Sequence, residues 1–136
     1  MITAQMQADK LRVAGLRPTR QRLALAALLF GSGDRHVCAE DLHAEALAAQ
    51  VPVSLATVYN TLNQFKSAGL IRELAIEGDR SYFDTNTSNH FHYYHEAEGR
   101  IVDLDSDGIT VHGLPEPPRG KEIAGIDVIV RLKDRC

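Results

Sequence analysis

A chain of 136 residues with 44% apolar residues and a formal net charge of −3 is sized for one ordinary domain, or for two small ones that complete their cores in a dimer. Its two cysteines, Cys38 and Cys136, exclude a disulfide framework and a Cys-x-x-Cys zinc knuckle. No apolar run approaches the about 18 residues that a membrane span needs, and no signal peptide opens the chain, so a cytoplasmic protein without a membrane partner is expected.

The charge is unevenly spread. Residues 1–72 carry eight Lys and Arg against five Asp and Glu, and residues 73–136 carry seven against thirteen. A basic half suits a polyanion, and an acidic half suits cations or a partner.

Residues 3–14 have helical spacing, with Met6, Leu11 and Ala14 apolar and Gly15 as a stop. A second helix starts at Pro18 or Thr19 and continues through Leu23, Leu25, Ala26, Leu28, Leu29 and Phe30 to Gly31. Arg17, Arg20 and Arg22 cluster at its start, where arginines suit phosphate contact or entry into a minor groove; Arg17, Thr19 and Arg20 are the candidate contacts there. Asp34–Val37 reads as a linker, and Cys38 takes the N-cap slot of a third helix over Ala39–Gln50.

Ser54 caps a fourth helix. Leu55, Val58, Leu62 and Phe65 recur at three- and four-residue spacing and make its buried stripe. The other face shows Ser54, Thr57, Asn60, Thr61 and Gln64, with Tyr59 at the border and no charge before Lys66. Neutral donors and acceptors of this kind suit a helix lying in the major groove. Ser54, Thr57, Tyr59 and Asn60 are therefore candidate DNA contacts. Two strands, Leu70–Ile76 and Arg80–Asp84, with a turn at Glu77-Gly78-Asp79, complete a winged helix over residues 1–85.

Asp84 to Glu96 reads DTNTSNHFHYYHE and holds four potential ligands, Asp84, His90, His92 and His95. The aromatics around His90 and His92 favour a strand, on which i and i+2 side chains share a face roughly 6.6 Å apart. Two imidazoles so placed can tilt to one metal at about 2.0–2.1 Å each; a tyrosine-rich edge strand with solvated histidines is the plainer alternative. His43 and His112 read as solvated. Further strands are expected at Arg100–Leu104, Ile109–Val111 and Ile126–Leu132, around a stiff Gly113–Pro118 segment. Residues 86–136 hold too few apolar side chains to stand alone, so this small α/β domain should pair with a second copy. The fold class expected is α+β: a winged-helix DNA-binding domain followed by a dimerisation domain.

The stretches GLRPTRQRLAL, RHVCAEDLHAEA, VSLATVYNTLNQFKSAGLI and SYFDTNTSNHFHYYHE resemble the ferric uptake regulator family. VPVSLATVYNTLNQF, YFDTN, HYY and the ending LPEPPRGKEIAGIDVIVRLKDR look most like its iron response regulator branch in alpha-proteobacteria. The resemblance implies a homodimeric transcription regulator that binds AT-rich pseudo-palindromic operators of double-stranded DNA and responds to iron or haem status, controlling iron-uptake and haem-synthesis genes. Zinc, manganese or peroxide sensing is the alternative within the family.

Carried over position by position, Tyr59 matches the base-contacting tyrosine and Arg17 the basic residue that enters the minor groove. Asn60 stands where many members have arginine. The sensory site maps onto His36, Asp84, His90 and His92, implying one Fe(II), Mn(II) or Zn(II) ion per subunit. Haem, if bound, would use His90 or His92. The chain departs from the family where its paired Cys-x-x-Cys zinc site would stand, with His95 and Glu98 in place of the first pair. Asn89 and Phe91 replace ligands of a second metal site, and Phe91 replaces the middle histidine of the branch's haem motif. Ala39 follows Cys38, so the cysteine-proline haem signal is missing too. No Gly-x-Ser-x-Gly, His-Glu-x-x-His or Gly-rich phosphate loop occurs, so no enzyme is expected, a small metal-dependent hydrolase being the remote alternative.

Overall fold

A computed structural model describes residues 4–74, 76, 81–87, 91–105 and 108–135. The chain divides into two compact units, residues 1–87 and 88–136.

The first unit holds four helices, α1 (Ala4–Val13), α2 (Arg20–Phe30), α3 (Ala39–Ala48) and α4 (Leu55–Ser67), and three short strands, β1 (His36–Cys38), β2 (Arg72–Leu74) and β3 (Tyr82–Asp84). Two of the helix starts are set by side-chain caps. The Thr19 hydroxyl accepts from the Arg22 N–H, and the Ser54 hydroxyl accepts from the Thr57 N–H, each satisfying one of the orphan donors of a first turn. Cys38 takes the cap position of α3 without a side-chain cap bond, as befits a weak acceptor. The stops are equally local. A Cβ on Gly31 would collide with the Ala27 carbonyl oxygen, and Gly69 sits at φ +81, a left-handed conformation that glycine adopts without steric cost.

The core gathers one face of each helix: Leu11, Leu25, Ala26, Leu29, Leu42, Ala46, Val58, Leu62 and Phe65, with Val37, Ile71 and Phe83 from the sheet side. Phe65 is fully buried and faces Phe30 with ring centroids 6.2 Å apart, so Phe65→Ala should cost about 3–5 kcal/mol. Two residues of α4 depart from expectation. Leu55, at the helix start, is 36% exposed, whereas Thr61 is 5% exposed and belongs to the buried face.

The sheet order is β1-β3-β2, antiparallel throughout. β1 falls where the sequence suggests a linker. Three residues carry no periodicity of their own; pairing makes them a strand, with His36 opposite Asp84, Val37 opposite Phe83 and Cys38 opposite Tyr82. The ladder runs one step further, where the Thr85 N–H donates to the Arg35 carbonyl at 3.0 Å and the Arg35 N–H donates to Thr85 Oγ1 at 2.8 Å. β2 and β3 are shorter than the two strands expected there, and the turn expected at residues 77–79 lies outside the described residues.

In the second unit β4 (Phe91–His95) lies between β5 (Arg100–Leu104), antiparallel to it, and β6 (Ile129–Leu132), parallel to it. The strand expected at Ile109–Val111 does not form. Among the described residues of this unit Ile101 and His92 are buried, while Val102, Ile126 and Val130 are each 37% exposed. So small a core fits the expectation that the unit needs more apolar cover than it supplies. Among the described residues no helix is long and apolar enough to cross a membrane.

Candidate functional site

Two imidazole–carboxylate pairs are the candidate metal ligands, one in each unit. In the first unit the β1–β3 register sets His36 opposite Asp84. Their side chains meet with His36 Nε2 3.3 Å from Asp84 Oδ2. Asp84 is 1% exposed, and its other oxygen accepts from the Asn86 N–H at 2.9 Å, so the carboxylate is fixed at both ends. A buried charge held this way is costly unless it is paired or ligates a cation.

In the second unit His92 sits on the central strand opposite Asp103 of β5 and Ile129 of β6. Its backbone N–H donates to the Val128 carbonyl at 3.1 Å. The ring is fully buried, with Nε2 3.5 Å from Asp103 Oδ1. Asp103 is not among the residues that sequence reasoning selects; its signal is the register itself, since it is the residue across the ladder from His92. His90 lies outside the described residues. His95 is half-buried, 4.0 Å from Glu98.

The two separations are informative. A direct N–H···O bond has its donor and acceptor about 2.7–3.2 Å apart. Two ligand atoms on a tetrahedral ion, each about 2.0–2.1 Å from it, lie roughly 3.4 Å from one another. The values of 3.3 and 3.5 Å match that tetrahedral edge better than a hydrogen bond. The donor set, imidazole nitrogen with carboxylate oxygen, suits Zn(II), Fe(II) or Mn(II), so the residues present fit a divalent transition metal.

Around the first pair the protein adds a clamp. Arg35, the residue before His36, donates from Nη1 and Nη2 to the two oxygens of Glu45 on α3, at 2.7 and 2.6 Å, and from Nη1 to the Leu28 carbonyl of α2 at 3.1 Å. Glu45 raises the guanidinium pKa above its ordinary value, against the opposing effect of burial.

The expected DNA contacts fall into two groups. Arg17, Thr19 and Arg20 are exposed at the start of α2, and Asn60 is exposed on α4. The Arg17 carbonyl accepts from Arg22 Nη1 at 2.9 Å, and Arg22 also donates twice to Gln64 Oε1. This ties the α2 start to α4. The hydroxyls of Ser54 and Thr57 are engaged locally, Ser54 donating to Thr57 at 3.0 Å while serving as the cap. Tyr59 is half-buried and donates its hydroxyl to Glu40 Oε1 of α3 at 2.5 Å. His43, expected in solvent, is half-buried with Nε2 3.1 Å from the Val53 carbonyl. A carbonyl only accepts, so this nitrogen carries the proton, and the bond steadies the turn before α4. Lys66 at the end of α4 reaches Glu73 of β2 at 2.5 Å.

Residues 13–116 match the profile of the ferric uptake regulator family. Over 95 residues the chain is 43% identical to the peroxide-responsive repressor PerR of Staphylococcus aureus; the match covers 69% of this chain and 63% of that protein's length. Among solved structures it resembles the ferric uptake regulator of Pseudomonas aeruginosa with manganese, at a TM-score of 0.72 and 26% identity over 96% of this chain and 98% of that one. It also resembles the Vibrio cholerae ferric uptake regulator, at a TM-score of 0.75 and 26% identity over 93% and 98%.

Proposed function

The chain belongs to the ferric uptake regulator family, whose members are metal-responsive transcription regulators and not enzymes, and from that premise we propose that it is a cytoplasmic, homodimeric repressor whose grip on an operator is set by a divalent metal ion. The proposed ligands are His36, Asp84, His90 and His92, with Asp103 beside His92. The observation that carries this is the pair of imidazole–carboxylate couples at the tetrahedral-edge spacing, each with one buried member, Asp84 in the first and His92 in the second.

When bound, the ion would supply charge to hold these carboxylate and imidazole ligands. Its binding energy is gained only in the arrangement that gathers them, which makes the ion an effector. The chain's own part is to present the first pair rigidly, through the β1–β3 register and the Arg35 clamp. The exposed Arg17, Thr19 and Arg20 and the α4 residues Tyr59 and Asn60 face the DNA in this reading, with Ser54 and Thr57 fixing the start of α4. AT-rich pseudo-palindromes upstream of iron-uptake and haem-synthesis genes are the proposed operators.

Iron status is the proposed signal. The mixed nitrogen and oxygen donor set favours a metal ion over a porphyrin, and His92, fully buried on a central strand, is poorly placed to take a haem. In this reading haem binding falls to His90. Peroxide sensing through the same metal is the second reading, favoured by the 43% identity to a peroxide-responsive repressor.

One titration separates them. Purified protein receives Fe(II), Mn(II), Zn(II) or haem at matched free concentration while operator binding is followed, and the Fe(II) form is then exposed to hydrogen peroxide. A metal-dependent change in affinity supports the metal reading, and its reversal by peroxide alone supports the second. Binding indifferent to every addition and to chelator refutes both.

A further inference from the structure

On the polar side of α4, Tyr59 differs from its neighbours in what its hydroxyl is committed to. A phenol has one proton to donate, and Tyr59 gives it to Glu40 Oε1 at 2.5 Å, the short separation of a charge-assisted O–H···O⁻ bond. Glu40 is placed for this by its position in the first turn of α3, close behind the cap residue Cys38, so the acceptor sits on a rigid element. The ring of Tyr59 packs against the core, which holds the phenol oxygen beside the Glu40 carboxylate, and the hydrogen bond orients its proton.

We infer that Glu40 sets the polarity with which Tyr59 reads a base: with its proton held by the carboxylate, the phenol oxygen meets the major groove as an acceptor and not as a donor. This rests on the reading of Tyr59 as a base contact. The major-groove edges that match an acceptor are the exocyclic amino groups, N6 of adenine and N4 of cytosine; thymine O4 and guanine O6 are themselves acceptors. Facing either of those, the phenol oxygen leaves two acceptors opposed, and the mismatch costs about tenfold in affinity for one unmade hydrogen bond. Glu40 is thus a positioning residue for specificity, acting through Tyr59 without touching the DNA.

The test selects binding sites from a random duplex pool, using whichever of the Mn(II)-loaded or metal-free protein binds DNA more tightly. Wild type, Glu40→Ala, Glu40→Gln, Tyr59→Phe and the Glu40→Ala/Tyr59→Phe double variant are compared. The wild type should prefer adenine or cytosine at one position of each half-site by about tenfold. Glu40→Ala frees the hydroxyl to donate and should relax or invert the preference at that position only. Glu40→Gln keeps an acceptor oxygen without the charge and should restore it. Tyr59→Phe should abolish it, and adding Glu40→Ala to Tyr59→Phe should change nothing more.

An unaltered profile for Glu40→Ala overturns the inference while Tyr59 remains a base contact. So does an equal shift for the Gln and Ala variants, which would mean that charge and not hydrogen-bond direction matters. An effect of Glu40→Ala that persists without the phenol hydroxyl overturns it as a folding effect. A Tyr59→Phe profile identical to wild type removes the base contact itself, and the inference with it.

Discussion

Arg35 and Glu45 form a two-point ion pair, guanidinium nitrogens on both carboxylate oxygens at 2.7 and 2.6 Å, one residue away from His36. The pair ties the start of β1 to α3, and the third bond, to the Leu28 carbonyl, brings in α2. The side chains are 26% and 36% exposed, so water screens the pair without dissolving it. Arg35→Ala should lower stability by on the order of 1–3 kcal/mol, most of it from the lost charged hydrogen bonds. Arg35→Lys should recover only part, because an ammonium cannot make the planar fork. Urea unfolding of the three proteins checks this, and equal midpoints for wild type and Arg35→Ala would refute the clamp.

Metal should stabilise the native protein and spare the variants that lack ligands. Zn(II) or Mn(II) at a hundred times its dissociation constant adds about 2.7 kcal/mol if it binds only the folded state. The rise in Tm should disappear in Asp84→Ala and in the His90→Ala/His92→Ala double variant, and EDTA should return the wild type to its metal-free Tm. A full metal-induced rise in either variant would place the ion elsewhere.

Cys38 is fully buried, and desolvation pushes its thiol pKa above the ordinary 9.0. Well below pH 9.0 both folded and unfolded thiols are protonated and the group is neutral to stability. As pH climbs past 9.0 the unfolded chain loses the proton first, so stability is lost until the folded thiol also ionises. Between about pH 8 and pH 10 the wild type should lose more stability than Cys38→Ala does. Parallel losses would mean that other groups account for the whole decline.

Glu73 runs the opposite way. The Lys66 ammonium, and to a lesser degree Ser81, hold its carboxyl below the ordinary 4.5, so its contribution is present above that pH and fades as pH falls through the folded value. Lys66→Met should remove that fraction of the acid-side decline, a small one because the pair is partly exposed. Identical acid profiles for the two proteins would show that the bond carries no stability.

Arg17→Ala should weaken DNA binding and reduce the slope of log affinity against log salt by about one. The exposed side chain and the backbone pinned by Arg22 leave it placed for a phosphate. A slope unchanged by the substitution would exclude that contact.

Residue patterns reveal the helices because each carries its own period and caps: Val58, Leu62 and Phe65 on one face of α4, Thr19 and Ser54 at two helix starts. What the patterns miss is set by pairing. β1 is a strand only because β3 lies beside it, and Asp103 joins His92 only through a ladder register. Thr61 is buried because geometry outvotes residue type. Three residues after Val58 and four before Phe65, it shares their face whatever its hydroxyl prefers. Half of the first imidazole–carboxylate couple, His36, is legible through family likeness alone, since nothing within β1 marks it. His43 escapes a sequence reading for a similar reason: its partner is a backbone carbonyl ten residues away, which composition does not reveal.

The middle strand of the first sheet is also the last of its three to be synthesised. β3 must enter between β1 and β2, setting Tyr82 against Cys38 on one side and Leu74 on the other. Until Asp84 has left the ribosome, the edges of β1 and β2 have no central strand to join, and Val37 has no Phe83 opposite it. The nascent helices can pack early through local contacts, but closure of the sheet waits on a distant segment, the slow kind of step in folding. A chain halted short of Asp84 should therefore carry its helices and remain open to proteases and to other unpaired strands.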